Sequence, residues 1–194
     1  MRDISHSKQY NLVAKTGDFY RWIYGRIFKK PSNFSWVISK KLAGSGLIKT
    51  HKEFEWVVEQ GIRSVVTVRE KPLPQKYFET SKTEKSRDKN IVIDYLHIMV
   101  DDHDAPDLDV LINTIDYLDH HVKQDKPVLI HCNAGHGRTG TLITAYLMKK
   151  EKISLEIALE KVKLLRKRIP HKDRQQEILK EYEEYLNHQN NLSK

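Results

Sequence analysis

One short stretch of the chain combines residue types that can bind and attack a phosphate group: Val128-Leu-Ile-His-Cys-Asn-Ala-Gly-His-Gly-Arg-Thr-Gly-Thr141. Its apolar start predicts a buried strand that ends at Cys132, and its continuation predicts a helix that begins near Arg138. Gly135 and Gly137 allow the backbone to wrap so that successive N–H groups point inward. The helix N terminus adds its positive dipole end. The stretch therefore predicts a cradle for a phosphate dianion.

Within this cradle, Cys132 has the chemistry of a nucleophile, because an electropositive loop favours its thiolate form. Arg138 lies six residues further on, a spacing that can bring its planar guanidinium to two phosphate oxygens. The hydroxyl of Thr139 can donate a hydrogen bond to the sulfur when the cysteine leaves. The residues expected to line the phosphate site together with Arg138 are Asn133, Ala134, Gly135, His136 and Gly137.

His131, directly before the cysteine, is expected to be tied to the backbone beneath the loop and to tune Cys132 by hydrogen bonding. A proton carrier is the other role open to it. The simplest alternative for the whole stretch is a buried structural cysteine followed by a turn. The ordered combination of an apolar strand, His-Cys, two loop glycines, Arg-Thr-Gly and an amphipathic helix disfavours that alternative.

A leaving alkoxide or phenolate needs a proton, so a second group must act as general acid. The acidic stretch Ile98-Met-Val-Asp-Asp-His-Asp-Ala-Pro-Asp-Leu108 follows a predicted strand and precedes a helix, where a loop can close over the site. Asp102 is the predicted acid, with Asp101 and Asp104 as alternatives. Helix capping by Asp107 and a plain solvated loop also explain acidic residues here. No cluster of His and carboxylates with ligand spacing accompanies them, so no metal is expected.

The elements that must position these residues follow from the hydrophobic pattern. Strands are predicted within residues 34–42, 62–68, 91–99 and 127–130. Helices are predicted after Thr50, Asp107, Arg138, Ser154 and Asp173, the first of them opened by the capping box Thr50-His-Lys-Glu53. In the helix after Ser154, Leu165 is placed on the buried face. Strands alternate with helices early and helices cluster late, which indicates an α/β fold with one sheet and helices on both faces.

The start of the chain differs in composition from the rest. Residues 1–35 carry seven Lys or Arg against two Asp and no Glu, and include the aromatic stretch Phe19-Tyr-Arg-Trp-Ile-Tyr-Gly-Arg-Ile-Phe28. Packing against its own domain and interfacial membrane anchoring are both open to this stretch. The expected organisation is a basic extension at 1–32, a catalytic domain at 33–188 and a tail at 189–194. Within the domain, Gly44-Ser-Gly46 is a predicted turn and the polar residues 69–90 a mobile surface loop.

The bulk composition of the 194 residues fits one soluble globular domain. The single cysteine excludes an intrachain disulfide and fits a reducing, cytoplasmic location. No run of about 18 apolar residues predicts a membrane-spanning helix, and the residues after Met1 lack the pattern expected of a secretory signal, so none is expected. The net charge of +8 reflects either solvated lysines or attraction to anionic partners such as phosphoproteins, lipid headgroups or nucleic acid, and charge alone cannot choose among them.

His131-Cys-Asn-Ala-Gly-His-Gly-Arg-Thr139 resembles the signature of the cysteine-dependent protein tyrosine phosphatase superfamily, and in particular of small atypical dual-specificity phosphatases. The resemblance covers residues 33 to 187. Ile98-Met-Val-Asp-Asp102 is similar to the acid loop of that family, with Asp102 at the position of the general acid. Gln175-Gln-Glu177 resembles a late family segment, in which Gln176 is the better match and is expected to support the site.

This resemblance implies a twisted central sheet of about five strands flanked by helices, and a two-step reaction that needs no metal or other cofactor. Cys132 attacks phosphorus, while Asp102 protonates the leaving group and then activates the hydrolytic water. The chain lacks the longer phosphotyrosine-recognition segment of the larger tyrosine-specific enzymes. The implied pocket is therefore shallower and open to phosphotyrosine, phosphoserine and phosphothreonine in protein substrates. The protein is expected to act as a monomer.

Other functions stay open beside phosphoprotein hydrolysis. Phosphoinositide or other lipid phosphatases and RNA 5′-phosphatases share the same type of loop. The loop has His136 but none of the lysines that inositol-lipid phosphatases carry there, which disfavours a lipid substrate, whereas the basic extension and the net charge favour lipid or RNA. A phosphate-binding module without turnover is also open, although nucleophile, arginine, hydroxyl and acid candidates are all present.

Overall fold

A five-stranded sheet forms the centre of the computed structural model, which describes residues 29–79, 91–166 and 173–192. The strands are β1 (Ser35–Ile38), β2 (Leu42–Ser45), β3 (Ser64–Val68), β4 (Asp94–Ile98) and β5 (Val128–His131). Their order across the sheet is β1-β2-β5-β3-β4, so β5 is the central strand. The predicted α/β fold and the central position of the short apolar run before Cys132 are confirmed.

Parallel pairing brings the functional segments to one edge of this sheet. β5 pairs in parallel with β2 and with β3, β3 pairs in parallel with β4, and β1 runs antiparallel to β2. The carboxyl ends of β3, β4 and β5 therefore meet at the same edge. The stretch that starts at Cys132, the acidic stretch after Ile98 and the residues after Val68 all begin there.

The helices of the described residues are α1 (His51–Glu59), α2 (Lys76–Glu79), α3 (Leu108–Lys123), α4 (Gly137–Glu151), α5 (Leu155–Leu165) and α6 (Asp173–Leu192). The capping box that opens α1 is confirmed: Thr50 Oγ1 accepts from Glu53 N at 3.2 Å, and Glu53 Oε2 accepts from Thr50 N at 3.0 Å. No helix in these ranges has the length and apolar character needed to cross a membrane.

Both faces of the sheet are covered by helices, as predicted. On one face, α3, α4, α5 and α6 pack their apolar side chains around Val66 and Ile130. On the other face, α1 and α2 pack around Val65 and Leu129. The division follows from the strand period of two, which sends neighbouring residues of β3 and β5 to opposite faces. The sheet is thus held rigidly from both sides, and so is the strand end that carries Cys132.

Two local predictions about loops are wrong. Gly44 lies within β2 and not in a turn, because pairing with β5 continues to Ser45. Residues 69–79 are not a mobile loop, because Leu73 and Tyr77 are buried in the α1 side of the core and residues 76–79 form α2. The remainder of the predicted loop, residues 80–90, lies outside the described residues.

The structure differs in detail from the predictions at the ends of α3, α5 and α6. Leu165 is 45% exposed, contrary to its predicted burial, because α5 ends there and the next side chain, Arg166, turns inward instead. Asp107 occupies the predicted N-cap position of α3, but its side chain makes no capping hydrogen bond. α6 continues past residue 188 to Leu192. The predictions for the aromatic stretch 19–28 fall outside the described residues.

Candidate active site

The sulfur of Cys132 lies at the carboxyl end of β5, inside the loop that leads into α4. The residue is 3% exposed, and the backbone N–H of Gly135 donates to its Sγ atom at 3.3 Å. A hydrogen bond from a backbone N–H to a cysteine sulfur stabilises the thiolate relative to the thiol. The structure thus places the predicted nucleophile within a backbone cradle and not among apolar side chains alone.

Three consecutive carbonyl groups of the loop point away from its centre, and each has a donor outside the loop. The carbonyl of Asn133 accepts from Leu47 N at 3.0 Å, that of Ala134 from Asn33 Nδ2 at 2.7 Å, and that of Gly135 from Arg166 Nη2 at 2.7 Å. In a trans peptide, the N–H of the next residue points opposite to the carbonyl. The N–H groups of residues 134, 135 and 136 therefore point inward, which is the geometry of an anion-binding nest.

The tight path of the loop depends on Gly135. Its φ is 75°, in the left-handed region that favours glycine, and an added Cβ would stand 2.5 Å from the backbone of Ser45 and Gly46. The loop therefore rests directly on the end of β2. The other predicted loop residues, Asn133, Ala134, His136 and Gly137, are half-buried, and the side chain of Asn33 also donates to His136 Nε2 at 3.2 Å.

The guanidinium of Arg138 is the main polar side-chain group of the site. It is 2% exposed and does not point to bulk solvent. Its Nη2 donates to Asp102 Oδ1 at 2.8 Å, and its Nη1 donates to Val100 O at 2.8 Å and to Glu70 Oε1 at 3.0 Å. Arg138 thus joins the phosphate loop to the acidic stretch and to the end of β3.

The three aspartates proposed as general acid have different positions in the structure. The carboxylate of Asp102 lies on Arg138, and its side chain remains 59% exposed, so it faces the site and the solvent at once. The carboxylate of Asp104 instead accepts from Ala105 N at 2.8 Å and shapes its own loop. Asp101 is exposed. Of the three, Asp102 is the one whose carboxylate the structure brings to the predicted phosphate-binding arginine.

Glu70 is a site residue that the sequence analysis missed. It lies in the segment that leaves β3, two residues after Val68, and pairs with Arg138. Desolvation acts to raise the pKa of Glu70, but backbone hydrogen bonding and the Arg138 guanidinium outweigh it, and the net shift is downward. The sheet topology could have indicated Glu70. A strand that pairs in parallel with β5 ends beside Cys132, so the residues that follow that strand lie near the site.

His131 is completely buried beneath the loop. Thr67 Oγ1 lies 2.7 Å from its Nε2, and the carbonyl of Cys132 lies 3.5 Å from its Nδ1. Burial lowers the pKa of His131 to about 3, so the ring is neutral at physiological pH. A carbonyl can only accept, so the proton is on Nδ1 and Thr67 donates to Nε2. The ring therefore lies at the position expected of a supporting residue, hydrogen-bonded beneath the loop.

Thr139 is buried on the first turn of α4. Its hydroxyl has no hydrogen-bond partner within the part of the chain that the structure describes. The hydroxyl is therefore available as a donor, and its hydrogen bond to the Cys132 sulfur stays a prediction.

The late glutamine predicted to support the site is Gln176, which stays a prediction, and the glutamine that the structure shows against the phosphate loop is its neighbour Gln175. Gln175 is 1% exposed, donates from Nε2 to Asp104 O at 3.1 Å, and packs so closely on Gly137 that a Cβ there would meet its side chain at 2.7 Å. One residue corresponds to about 100° of helix rotation, which takes Gln176 to another face of α6. Gln175 thus connects the acidic stretch with the phosphate loop.

This sheet, with a cysteine and an arginine on a loop between its central strand and a helix, defines the class of cysteine-dependent phosphatases. The chain belongs to the family described as "Polymorphic toxin system, DSP-PTPase phosphatase", whose profile matches residues 43–152, more than half of the sequence. The predicted superfamily is thereby confirmed.

Individual relatives agree with this assignment. The chain is 30% identical over 127 residues to "Phosphatidylglycerophosphatase and protein-tyrosine phosphatase 1" of Rattus norvegicus, a match that covers 65% of this chain and 64% of the relative. It is 31% identical over 86 residues to a probable dual specificity protein phosphatase of Dictyostelium discoideum, covering 42% of this chain and 37% of the relative. The chain thus spans less than two thirds of the length of these relatives.

Solved structures show the same fold. Tk-PTP in its active form superposes with a TM-score of 0.67 and 28% identity, covering 78% of this chain and 97% of that chain. The complex of PTPMT1 with PI(5)P superposes with a TM-score of 0.69 and 20% identity, covering 81% and 99% of the two chains. At that identity the second likeness concerns the fold alone.

Proposed function

We propose that this protein hydrolyses phosphate monoesters through a cysteinyl-phosphate intermediate on Cys132. One observation carries the proposal: the sulfur lies in a loop whose inward N–H groups are fixed by three outward carbonyl contacts, and the same loop leads into Arg138. A dianion in this nest would sit in front of the sulfur, at the N terminus of α4. Arg138 would bind two of its oxygens in a bidentate contact.

The reaction proceeds in two displacements. The Cys132 thiolate attacks phosphorus, an S–P bond forms, and the bond from phosphorus to the leaving oxygen breaks. Asp102 gives its proton to that oxygen, which leaves as an alcohol or phenol. Asp102 then takes a proton from water, whose oxygen attacks phosphorus. The S–P bond breaks, inorganic phosphate forms and the thiolate returns, so no cofactor is consumed.

Phosphorylated protein side chains are the proposed substrates, phosphotyrosine and also phosphoserine or phosphothreonine. Similarity to dual specificity protein phosphatases supports this choice, including the Dictyostelium relative and a Gallus gallus relative that is 40% identical over 63 residues. The exposed side chain of Asp102 and the half-buried outer loop residues favour a site that a phosphorylated segment on a protein surface can reach.

A phospholipid is the second candidate substrate. Residues 1–32, with seven Lys or Arg against two Asp, directly precede Asn33, whose side chain donates to the phosphate loop at Ala134 O. A basic extension attached at the loop would favour phosphate groups on an anionic surface. The rat relative, named as a phosphatidylglycerophosphatase, gives this candidate additional support.

The chemistry and the substrate can be tested separately. Cys132→Ser should abolish hydrolysis of an aryl phosphate while tungstate still binds, and a serine variant with full activity would overturn the mechanism. A panel of phosphotyrosine and phosphothreonine peptides, phosphatidylglycerophosphate vesicles and 5′-phosphorylated RNA, all at physiological salt, should show the highest kcat/KM for the peptides. Highest activity on the vesicles, lost when residues 1–28 are deleted, would favour the lipid instead.

A further inference from the structure

Arg166 is a second arginine that contacts the phosphate loop, at a carbonyl that points away from the centre of the loop. It follows the last residue of α5 and is 6% exposed. Its guanidinium donates to Gly135 O at 2.7 Å and to Gly44 O at 2.9 Å. It also donates to Ser35 Oγ at 2.7 Å and to Asn33 O at 3.1 Å. One side chain thus connects the loop, β1, β2 and the segment before β1.

All four of these acceptors are uncharged. Within residues 29–79, 91–166 and 173–192, no carboxylate pairs with Arg166. A buried cation with only neutral partners is costly unless a negative charge compensates it. Burial lowers the pKa of Arg166, and the charge of Cys132 acts in the opposite direction. Gly135, whose carbonyl Arg166 holds, is also the residue whose N–H donates to the Cys132 sulfur, so a single residue connects the buried cation to the nucleophile.

The position of Arg166 is built into the fold. A Cβ on Gly44 would stand 2.7 Å from Arg166 Nη1, so the glycine in β2 leaves the space that the guanidinium fills. Its bond to Gly135 O turns the following N–H, that of His136, toward the centre of the loop. The Arg166 guanidinium thus places a positive charge beside the nest and also orients one of its N–H groups.

Of the described residues at the loop, neither Arg138 nor His131 supplies an uncompensated positive charge. Arg138 is paired with two carboxylates, Glu70 and Asp102, so its charge is already balanced. His131 beneath the sulfur is neutral because burial lowers its pKa to about 3.

We propose that Arg166 is a positioning residue whose buried charge stabilises the Cys132 thiolate and whose contact with Gly135 holds the phosphate loop in its binding shape. The inference rests on the proposed thiolate chemistry of Cys132. It predicts that the sulfur loses part of its ionisation when the charge at residue 166 is removed, although Arg166 contacts neither substrate nor leaving group.

The single cysteine of the chain makes a direct test possible. The full-length protein is alkylated with iodoacetamide from pH 4.5 to 9.5, and the rate is followed by intact mass. Arg166→Met and Arg166→Gln remove the charge, whereas Arg166→Lys keeps the charge but loses the guanidinium that donates from two nitrogens. Lys163→Met, which removes an exposed charge from α5, is the matched control. Circular dichroism melting shows which variants fold.

The charge-free variants should alkylate at least about tenfold more slowly than wild type at pH 6 and at the wild-type rate at pH 9.5. This corresponds to a pH midpoint of the alkylation rate that is raised by about one pH unit. Arg166→Lys should fall between them, and Lys163→Met should match wild type. A folded Met or Gln variant with the wild-type midpoint overturns the inference. If neither folds, an Arg166→Lys variant with unchanged midpoint and unchanged kcat overturns it. A wild-type cysteine that alkylates only above pH 8 would instead overturn the proposed function itself.

Discussion

Arg138 Nη2 lies 2.8 Å from Asp102 Oδ1, while Nη1 of the same guanidinium holds the carbonyl of Val100 at 2.8 Å. The arginine that is suited to bind phosphate therefore also holds the start of the acidic stretch over the loop. Asp102 is within reach of a group that leaves the nest, yet its side chain is largely exposed and can exchange protons with water. In the proposed mechanism, phosphate binding and proton transfer are thus connected through the Arg138 side chain.

Asp102→Asn should lower kcat for an alkyl phosphate by about 100-fold, because the leaving alkoxide loses its proton donor. An aryl phosphate with an acidic leaving group should be affected much less in the first displacement. The measurement is the pH–rate profile for both substrates, in which the basic limb should flatten for the variant.

Asp101→Asn is the matched control for this experiment, since it removes a carboxylate from the adjacent position. Its profile should remain that of the wild type. If Asp101→Asn shows the larger loss and Asp102→Asn keeps its basic limb, the acid is Asp101 and the contact with Arg138 has another purpose.

Glu70→Gln should raise KM for an aryl phosphate and lower kcat/KM by about tenfold, or about 1.4 kcal/mol. The carboxylate of Glu70 fixes one edge of the Arg138 guanidinium at 3.0 Å, and an amide holds it less strongly. Because the pKa of Glu70 is lowered, this support is present at neutral pH and is lost only when the pH falls through that lowered value. The measurement is KM and kcat/KM for Glu70→Gln and for the exposed-site control Glu59→Gln. Equal values for the two variants would mean that Glu70 does not support Arg138.

Much of the fold could be predicted because the signals are local. The run before Cys132 is short and wholly apolar, as a central parallel strand requires, and Thr50 with Glu53 forms the capping box that their spacing indicates. The errors occur where tertiary contacts decide. Leu73 and Tyr77 turn part of a polar segment into buried structure, and Gly44 continues a strand because its missing side chain makes room for Arg166.

The part of the site that lies in one continuous stretch of sequence could also be predicted. Cys132, the loop glycines and Arg138 lie within seven consecutive residues, so their spacing alone indicates their chemistry. Glu70 lies 68 residues from its partner Arg138, and Arg166 lies 31 residues from Gly135, so no local pattern indicates either contact. The two adjacent glutamines of α6 look alike in sequence, and only the helix rotation places Gln175 against the loop.

His131→Gln should change how stability depends on pH. The pKa of His131 is about 3 in the folded state and near 6.5 when unfolded, so the unfolded chain binds more protons between these values. The neutral histidine therefore contributes stability that is full above pH 6.5 and is lost as the pH falls, by up to about 1.4 kcal/mol per pH unit. Urea unfolding at pH 7.0, 6.0 and 5.0 should show a flatter dependence for His131→Gln than for the exposed-site control His120→Gln. Parallel curves would mean that His131 is charged in the folded protein.

Gln175→Ala should lower the free energy of unfolding by about 1–3 kcal/mol, because the Asp104 carbonyl loses its donor and a space opens beside Gly137, where the Gln175 side chain is buried. Turnover should also fall, since the acidic stretch loses its connection to α6. Gln176→Ala, one residue away and half-buried, is the control and should leave kcat within twofold of wild type. A larger loss of activity in Gln176→Ala would reverse the structural assignment.

Gly135→Ala separates the shape of the loop from the stability of the fold. An alanine here must adopt φ near 75° and place its Cβ 2.5 Å from the backbone of Ser45, so the loop must move. Gly61→Ala is a matched control, because its φ is 89° but the space around it is open. The control should lose only about 1 kcal/mol of stability and keep full activity. Gly135→Ala should lose at least about 100-fold in kcat/KM for an aryl phosphate and bind tungstate weakly, because the inward N–H groups no longer converge. Wild-type tungstate affinity in a folded Gly135→Ala protein would show that the nest tolerates a different path, and that the close contact with β2 is not what shapes it.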